Sequence, residues 1–508
     1  MPDSKSELLA PYPGPWDERA AAHLLNRVAF GAPVDRVEAL MKETPDSALK
    51  RFLYFESVAD NWQKPEWAEP PKEDFIPPFL MTQDEKKQKQ REQGQHAREL
   101  QTWWLHRMAQ TTRPLQEKLA LFWHGHFATS LDKVKAPYMM WMQNETLRRN
   151  ASGNFRTMVM EISRDPAMIQ WLDNDSNRKE KPNENYAREL MELFTLGEGH
   201  YTENDIKESA RAFTGWGLQK RQQQYQFTPK QHDSGDKIFM GKTGPWDGGD
   251  IVNIIFDQPQ CARFIVTKLW NYFAYENPEP EVLDGLSEIL RKNNYELKPL
   301  LWKMLSCRAF YSDRSVRTQI KSPVQLVVGS YQVLQQEVPQ AEGFSRLLIN
   351  ILRLMGQEPF RPPNVKGWDG GLTWVTTSSL LLRYNFADFL VHGVPPQSAI
   401  GNVKAGKGKK KPVDPAQLER IRRNAKTLPL VSLYDPAAMA SSEQVVKSLG
   451  RILWNAQPDA ESFAQFTKFL DSNDAGEMVA FQPSNPNAEQ KVRDLIHLMM
   501  STPQYQLC

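Results

Sequence analysis

Cysteine is scarce in this 508-residue chain: Cys261, Cys307 and Cys508 are the whole supply, and none stands in a CxxC or CxxCH. An odd, scattered set argues against a disulfide scaffold, a zinc ribbon and c-type haem attachment, and leaves three buried reduced thiols as the expectation. No apolar run approaches the roughly 18 residues a membrane-crossing helix needs. Net charge is only +2, so no global field draws the protein toward nucleic acid, and no basic-aromatic stripe is present. There is no Gly-rich phosphate loop for a nucleotide cofactor and no GxSxG. The N-terminus, "MPDSKSELLAPYPGPWDERAA", lacks the basic start and apolar run of an export leader, so the chain reads as cytoplasmic.

What the chain has in abundance is helical periodicity and aromatic bulk, with 24 Phe and 15 Trp to fill a core. "DERAAAHLLNRVAF" places apolar residues at helical spacing, with Asp17 as N-cap and Gly31 as stop. "TQDEKKQKQREQGQHARELQTWWLHRMAQ" reads as one long helix whose polar first half projects into solvent. A helix starts at Pro114, others cover 183–196 and 203–214, and residues 216–248 read as irregular loop with room for a small hairpin. No alternating strand pattern appears elsewhere. The expected fold is mainly α: a large multi-helix domain with long irregular loops and at most a small β-hairpin. The division expected is a main helical domain over 1–401, a basic linker or mobile loop at 402–413 ("NVKAGKGKKKPV"), and C-terminal helices over 414–508 packing on the main domain.

Chemistry concentrates in "PNENYARELMELFTLGEGHYTENDIKESARAFTGWG", residues 182–217. On a regular helix Asn185, Glu189 and Glu192 share one face, being four and then three apart, and Glu184, Arg188 and Glu192 form the adjacent row. Leu190, Met191, Leu193 and Phe194 cover much of the rest, so the helix and its acids read as buried, and buried carboxylates need a cation, a metal or a proton. Gly197 and Gly199 suit a sharp reversal with positive φ, and Thr202 with Asp205 forms a capping box for the next helix. That helix presents Glu208 and Arg211 one turn apart. Such a set serves equally as an interhelical ion-pair network that only holds packing. Three further clusters stand out: His124 and His126 in "FWHGHF", His232 and Asp233 in "HDSGDKIFMG", and Asn364 and Trp368 in the Pro/Gly-rich "RPPNVKGWDGGLTWV". A histidine pair two apart cannot share one face of a regular helix and converges on an ion only where the backbone departs from helical geometry.

These clusters, with "HLLNRVAFG" ahead of them, "DPAMIQWLDN" between them and "IKSPVQLVVG" near 320, resemble the bacterial domain-of-unknown-function family 1800, from about residue 20 to about 395. The resemblance implies a helical protein without a settled reaction. It also implies frequent export, and a protein partner similar to the sulfatase and alkaline-phosphatase group. It puts weight on His124, His126, Asp173, Asn183, Glu184, Asn185, Arg188, Glu189, Glu192, Arg211, His232, Asp233, Asn364 and Trp368 as family signature.

The leading expectation is an enzyme carrying a divalent metal (Zn, Mn or Fe) on His124, His126, Glu189 and Glu192. Arg188 or Arg211 would orient an anionic group, and His232 with Asp233 would act as general base and orienting acid. Asn185, Asn364 and Trp368 would contact the unknown substrate, with hydrolysis and oxidation both open. The alternatives are a binding or assembly protein whose acids and arginines only lock helices, and a peptide-modifying enzyme acting on a small partner.

Overall fold

A computed structural model describes residues 7–71, 80–393, 395, 433–473 and 475–508. The basic segment at 402–413 lies outside the described residues. Helices dominate the rest, as the periodicity requires, and the strands form two small antiparallel pairs.

α1 (Glu18–Val28) begins where Asp17 accepts from the Ala20 N–H, but it ends three residues before Gly31, at an extended Ala29. α2 (Gln83–Gln110) is the long helix, started by a capping box of Thr82 and Glu85; its side chains become buried only from Ala97 onward. α3 (Pro114–His126) is apolar on every side except its first turn, and accordingly almost all of it is buried. α4 (Pro137–Arg149) and α5 (Phe155–Ser163) follow. α6 (Asn185–Glu189) starts two residues later than the pattern suggests and runs directly into a π-helical turn, Leu190–Thr195. Gly197 and Gly199, at φ 85° and 81°, reverse the chain into α7 (Glu203–Ala212). β1 (Trp216–Gln219) pairs with β2 (Gln224–Phe227), and β3 (Lys237–Phe239) with β4 (Lys242–Gly244). α8 (Gly248–Asp257), α9 (Pro259–Phe273), α10 (Pro280–Lys292), α11 (Thr377–His392), α12 (Ser442–Trp454) and α13 (Ala488–Met500) follow, with shorter or intervening helices between them.

Two apolar clusters make the core. The first joins α1, α5 and α8–α10 around residues such as Phe155, Phe194 and Trp270. The second joins α2 and α4 to α11, α12 and α13 around Trp104, Phe386 and Leu495. α3 contributes to both, with Leu119 and Trp123 in the first and Ala120 and Leu121 in the second. A helix wedged between two cores has no polar face to offer water, so its few polar groups must find partners inside.

Such partners make a buried ionic centre at Glu117. Glu117, in the first turn of α3 and fully buried, accepts from Trp104 Nε1 (2.9 Å), Arg107 Nε (2.7 Å) and Arg148 Nε and Nη2 (2.6 and 3.0 Å). Burial pushes its carboxyl up, but Arg148 and Arg107 outweigh that and hold it below the usual range.

Candidate functional site

His124 and His126 lie in the last turn of α3 and point to different sides of it. Their side chains are about 200° apart around the axis, the angle two residues subtend on a helix. His124 Nε2 accepts the Phe360 N–H at 3.0 Å, beside the rings of Trp104 and Trp368. His126 Nε2 donates to the Phe194 carbonyl at 3.0 Å among Phe122, Phe155 and Phe264, leaving Nδ1 without a partner. Burial drives both imidazoles toward the neutral form, His124 to about 3.

Among the described residues, no three of His124, His126, Glu189 and Glu192 bring their ligand atoms within 4.8 Å of one another. Glu192 lies in the π-helical turn, which departs from the regular helix that the spacing implies for it and Glu189. Glu192 accepts from the Tyr201 hydroxyl at 2.5 Å. Glu189 is half-buried with no hydrogen-bond or ion-pair partner among the described residues; burial and then Glu192 raise its carboxyl above the ordinary value. Arg188 does not orient these acids. It forks onto Glu203 of α7 (3.0 and 2.9 Å) and also reaches Glu184. Asn185 is exposed, its N–H held by Asn183 Oδ1.

Arg211 bonds Asp233 through Nε (2.7 Å) and Glu208 through Nη1 (2.8 Å). Asp233 is thereby drawn away from its sequence neighbour. His232 instead holds Nδ1 at 2.8 Å from the Thr214 carbonyl, which takes its proton and leaves Nε2 as the basic nitrogen. A backbone carbonyl, not the adjacent acid, orients this imidazole. Asn364 is exposed and accepts from the Lys366 N–H. Trp368 packs on Gly125, and Gly367 (φ 87°) comes so close that a Cβ there would sit 2.1 Å from the Gly125 carbonyl oxygen. The loop therefore plugs the end of α3.

Among the described residues the group able to hold a metal is a different one. Asp388, His392 and His497 place ligand atoms within 4.8 Å of one another, all partly exposed, where α11 crosses α13. Asp388 and His392 are four apart on α11, with Asp388 Oδ1 2.8 Å from His392 Nδ1. His392 Nε2 lies 3.0 Å from Asp494 Oδ1, three residues before His497 on α13, and Gln490 Nε2 donates to that same oxygen. The His392 and His497 rings meet edge to face at 5.8 Å.

Residues 23–507 match the family described as a protein of unknown function (DUF1800). The chain belongs to that family. No curated protein and no solved structure matches it. In this DUF1800 chain the Asp/His group falls in "NFADFLVH" and "VRDLIHLMM", stretches that read simply as helices. The available signal was local: Asp-x3-His on one helix and Asp-x2-His on the other, each placing both side chains on one face. Their convergence, across more than a hundred residues of chain, was not visible. No helix among the described residues is long and apolar enough to cross a membrane.

Proposed function

We propose that this chain is a metal-dependent enzyme whose divalent ion is held at the crossing of α11 and α13 by Asp388, His392 Nδ1 and His497. The supporting observation is the convergence of these three ligand atoms, together with a carboxylate at each ring nitrogen of His392. Two carboxylates around one imidazole call for a cation, and either a second proton on the ring or a metal ion supplies it. In the metal-bound arrangement His392 Nε2–H donates to Asp494, which sets the tautomer and the ring orientation in the manner of carboxylate–histidine–metal sites. Three protein ligands leave a coordination position for water or substrate, as in catalytic rather than structural centres. Two histidines and one carboxylate serve hydrolytic zinc and oxygen-activating iron alike, so the ion bound decides between hydrolysis and oxidation. Elemental analysis of protein purified from metal-replete medium tests this. One zinc, manganese or iron per chain, lost in His497→Ala and His392→Ala with helical content unchanged, is the expected result. Metal-free wild-type protein, or metal retained by both variants, overturns it.

A second reading is favoured by Glu189, a half-buried carboxylate with a raised pKa and no partner, next to the Glu192–Tyr201 pair on a π-helical turn. Such turns recur at functional sites, and a carboxyl raised by burial is suited to holding and passing a proton. Under this reading α6 and α7 carry an acid–base centre, and Glu189→Gln abolishes turnover of whatever substrate is found while leaving the metal content unchanged. Full activity in that variant removes Glu189 from the chemistry.

A further inference from the structure

A cavity of about 740 Å³ lies between the start of α5, the α8–α9 junction and α10, and none of Asp388, His392 and His497 lines it. Its volume falls in the range of small-molecule sites. Its walls are rich in charge of both signs, but the signs do not cancel. Asp257 is paired with Lys242 (2.6 Å), Asp284 with Arg263, and Glu288 with Lys292 (2.6 Å). Arg156 and Arg291, which also line the cavity, have no carboxylate partner among the described residues.

Arg156 is the more informative of the two. Its guanidinium lies over the rings of Phe256 (5.4 Å) and Tyr295 (5.8 Å), and its Nε is buried without a hydrogen-bond partner. Stacking of this kind holds the planar fork rigid and leaves its edge available. The Tyr295 ring is held in turn by its hydroxyl donating to the Phe256 carbonyl (2.8 Å), and Asn294 and Tyr295 both adopt left-handed backbone (φ 50° and 65°). Strain of that kind is tolerated where surroundings enforce it and gathers at ligand sites. Two uncompensated guanidiniums present a charge of two, with donors in the fork geometry that matches phosphate oxygens.

The geometry points to a binding site for a phosphate monoester, its dianionic head between Arg156 and Arg291 and its organic part in the remaining volume. A phosphate monoester carries about the charge the two guanidiniums lack. The site is independent of the proposed metal centre.

Calorimetric titration of the full chain tests it, with inorganic phosphate, phenyl phosphate and benzoate as probes. Saturable one-to-one binding of phenyl phosphate is expected, tighter than that of inorganic phosphate. Arg291→Ala, at an exposed position, and Arg156→Lys, which keeps the charge but not the fork, should each weaken binding by about tenfold or more. His497→Ala should bind as wild type does, which separates this cavity from phosphate bound to a metal. Three results overturn the inference: no saturable heat with either phosphate up to about 10 mM, affinity unchanged in both arginine variants, or benzoate bound as tightly as phenyl phosphate.

Discussion

Glu117 is held among cations and His392 between two carboxylates, yet their situations differ in what closes the circle. Around Glu117 the protein supplies every donor: two arginines and an indole, all buried, with side-chain exposure of 4% for Arg107, 3% for Arg148 and none for the carboxylate. Around His392 the surplus is negative and water is near, with exposures of 19% for the imidazole, 35% for Asp388 and 42% for Asp494. A saturated buried centre has no capacity left for a ligand and can only hold helices together. A half-open centre that lacks positive charge has both capacity and access. Richness in ionisable residues therefore does not mark a site; unmet electrostatic demand within reach of solvent does.

The largest effect should come from breaking the saturated centre. Glu117→Gln removes the buried carboxylate shared by Arg107 and Arg148, leaving each only its partly exposed acidic partner, Asp60 or Glu145, and unfolding in denaturant should show a loss of about 3 kcal/mol. Metal content of the folded protein should be unaffected, because α2, α3 and α4 supply none of the three ligands at the α11–α13 crossing. Next comes the half-open centre. Metal-loaded wild type should exceed His497→Ala by about 2.7 kcal/mol at an ion concentration a hundredfold above its dissociation constant, and the difference should vanish after chelation. A difference that survives chelation would make His497 a packing residue and erase the contrast.

His124→Leu strands the Phe360 N–H and should cost about 1–3 kcal/mol. If it also removed a bound metal, the distinction between core and ligand histidines would need redrawing. A finer test uses pH. Asp165, buried, accepting from the Met168 N–H and from Gln143, is raised by burial to about 7 from 3.8. Its folded state thus holds a proton that the unfolded chain releases. The contribution is complete below pH 3.8 and is lost as pH rises through about 7. His124 runs the other way: lowered to about 3 from 6.5, its contribution is complete above pH 6.5 and is lost as pH falls toward 3. Between pH 4 and 7, wild type should lose stability relative to Asp165→Asn, and His124→Leu should lose less than wild type on acidification. The smallest effect belongs to Arg188→Ala. Its ion pairs are on the surface, so the melting temperature should move by no more than about 1 °C.

Much of the fold was legible in local pattern. The long polar-to-amphipathic helix 83–110, the Thr202–Asp205 capping box and the left-handed glycines 197 and 199 all follow from rules acting within a few residues. The phase of residues 190–195 did not, because the π-helical turn is selected by what the helix packs against and not by its own composition. The pairing of Arg188 with Glu203, and of Asp233 with Arg211, was equally beyond local reading. Complementary charges stood close by in the sequence, but their partners depend on the rotation of each helix about its axis.

By itself, then, the order of residues determined a mainly helical body, because periodicity and solvation act at short range. Only the tertiary structure decided which polar groups meet. It turned the two histidines of α3 toward backbone partners on different sides, and it carried Asp388 and His392 to Asp494 and His497. The reason is geometric: ligation and ion pairing act over a few ångströms, and helix crossings alone bring such distances to residues far apart along the chain.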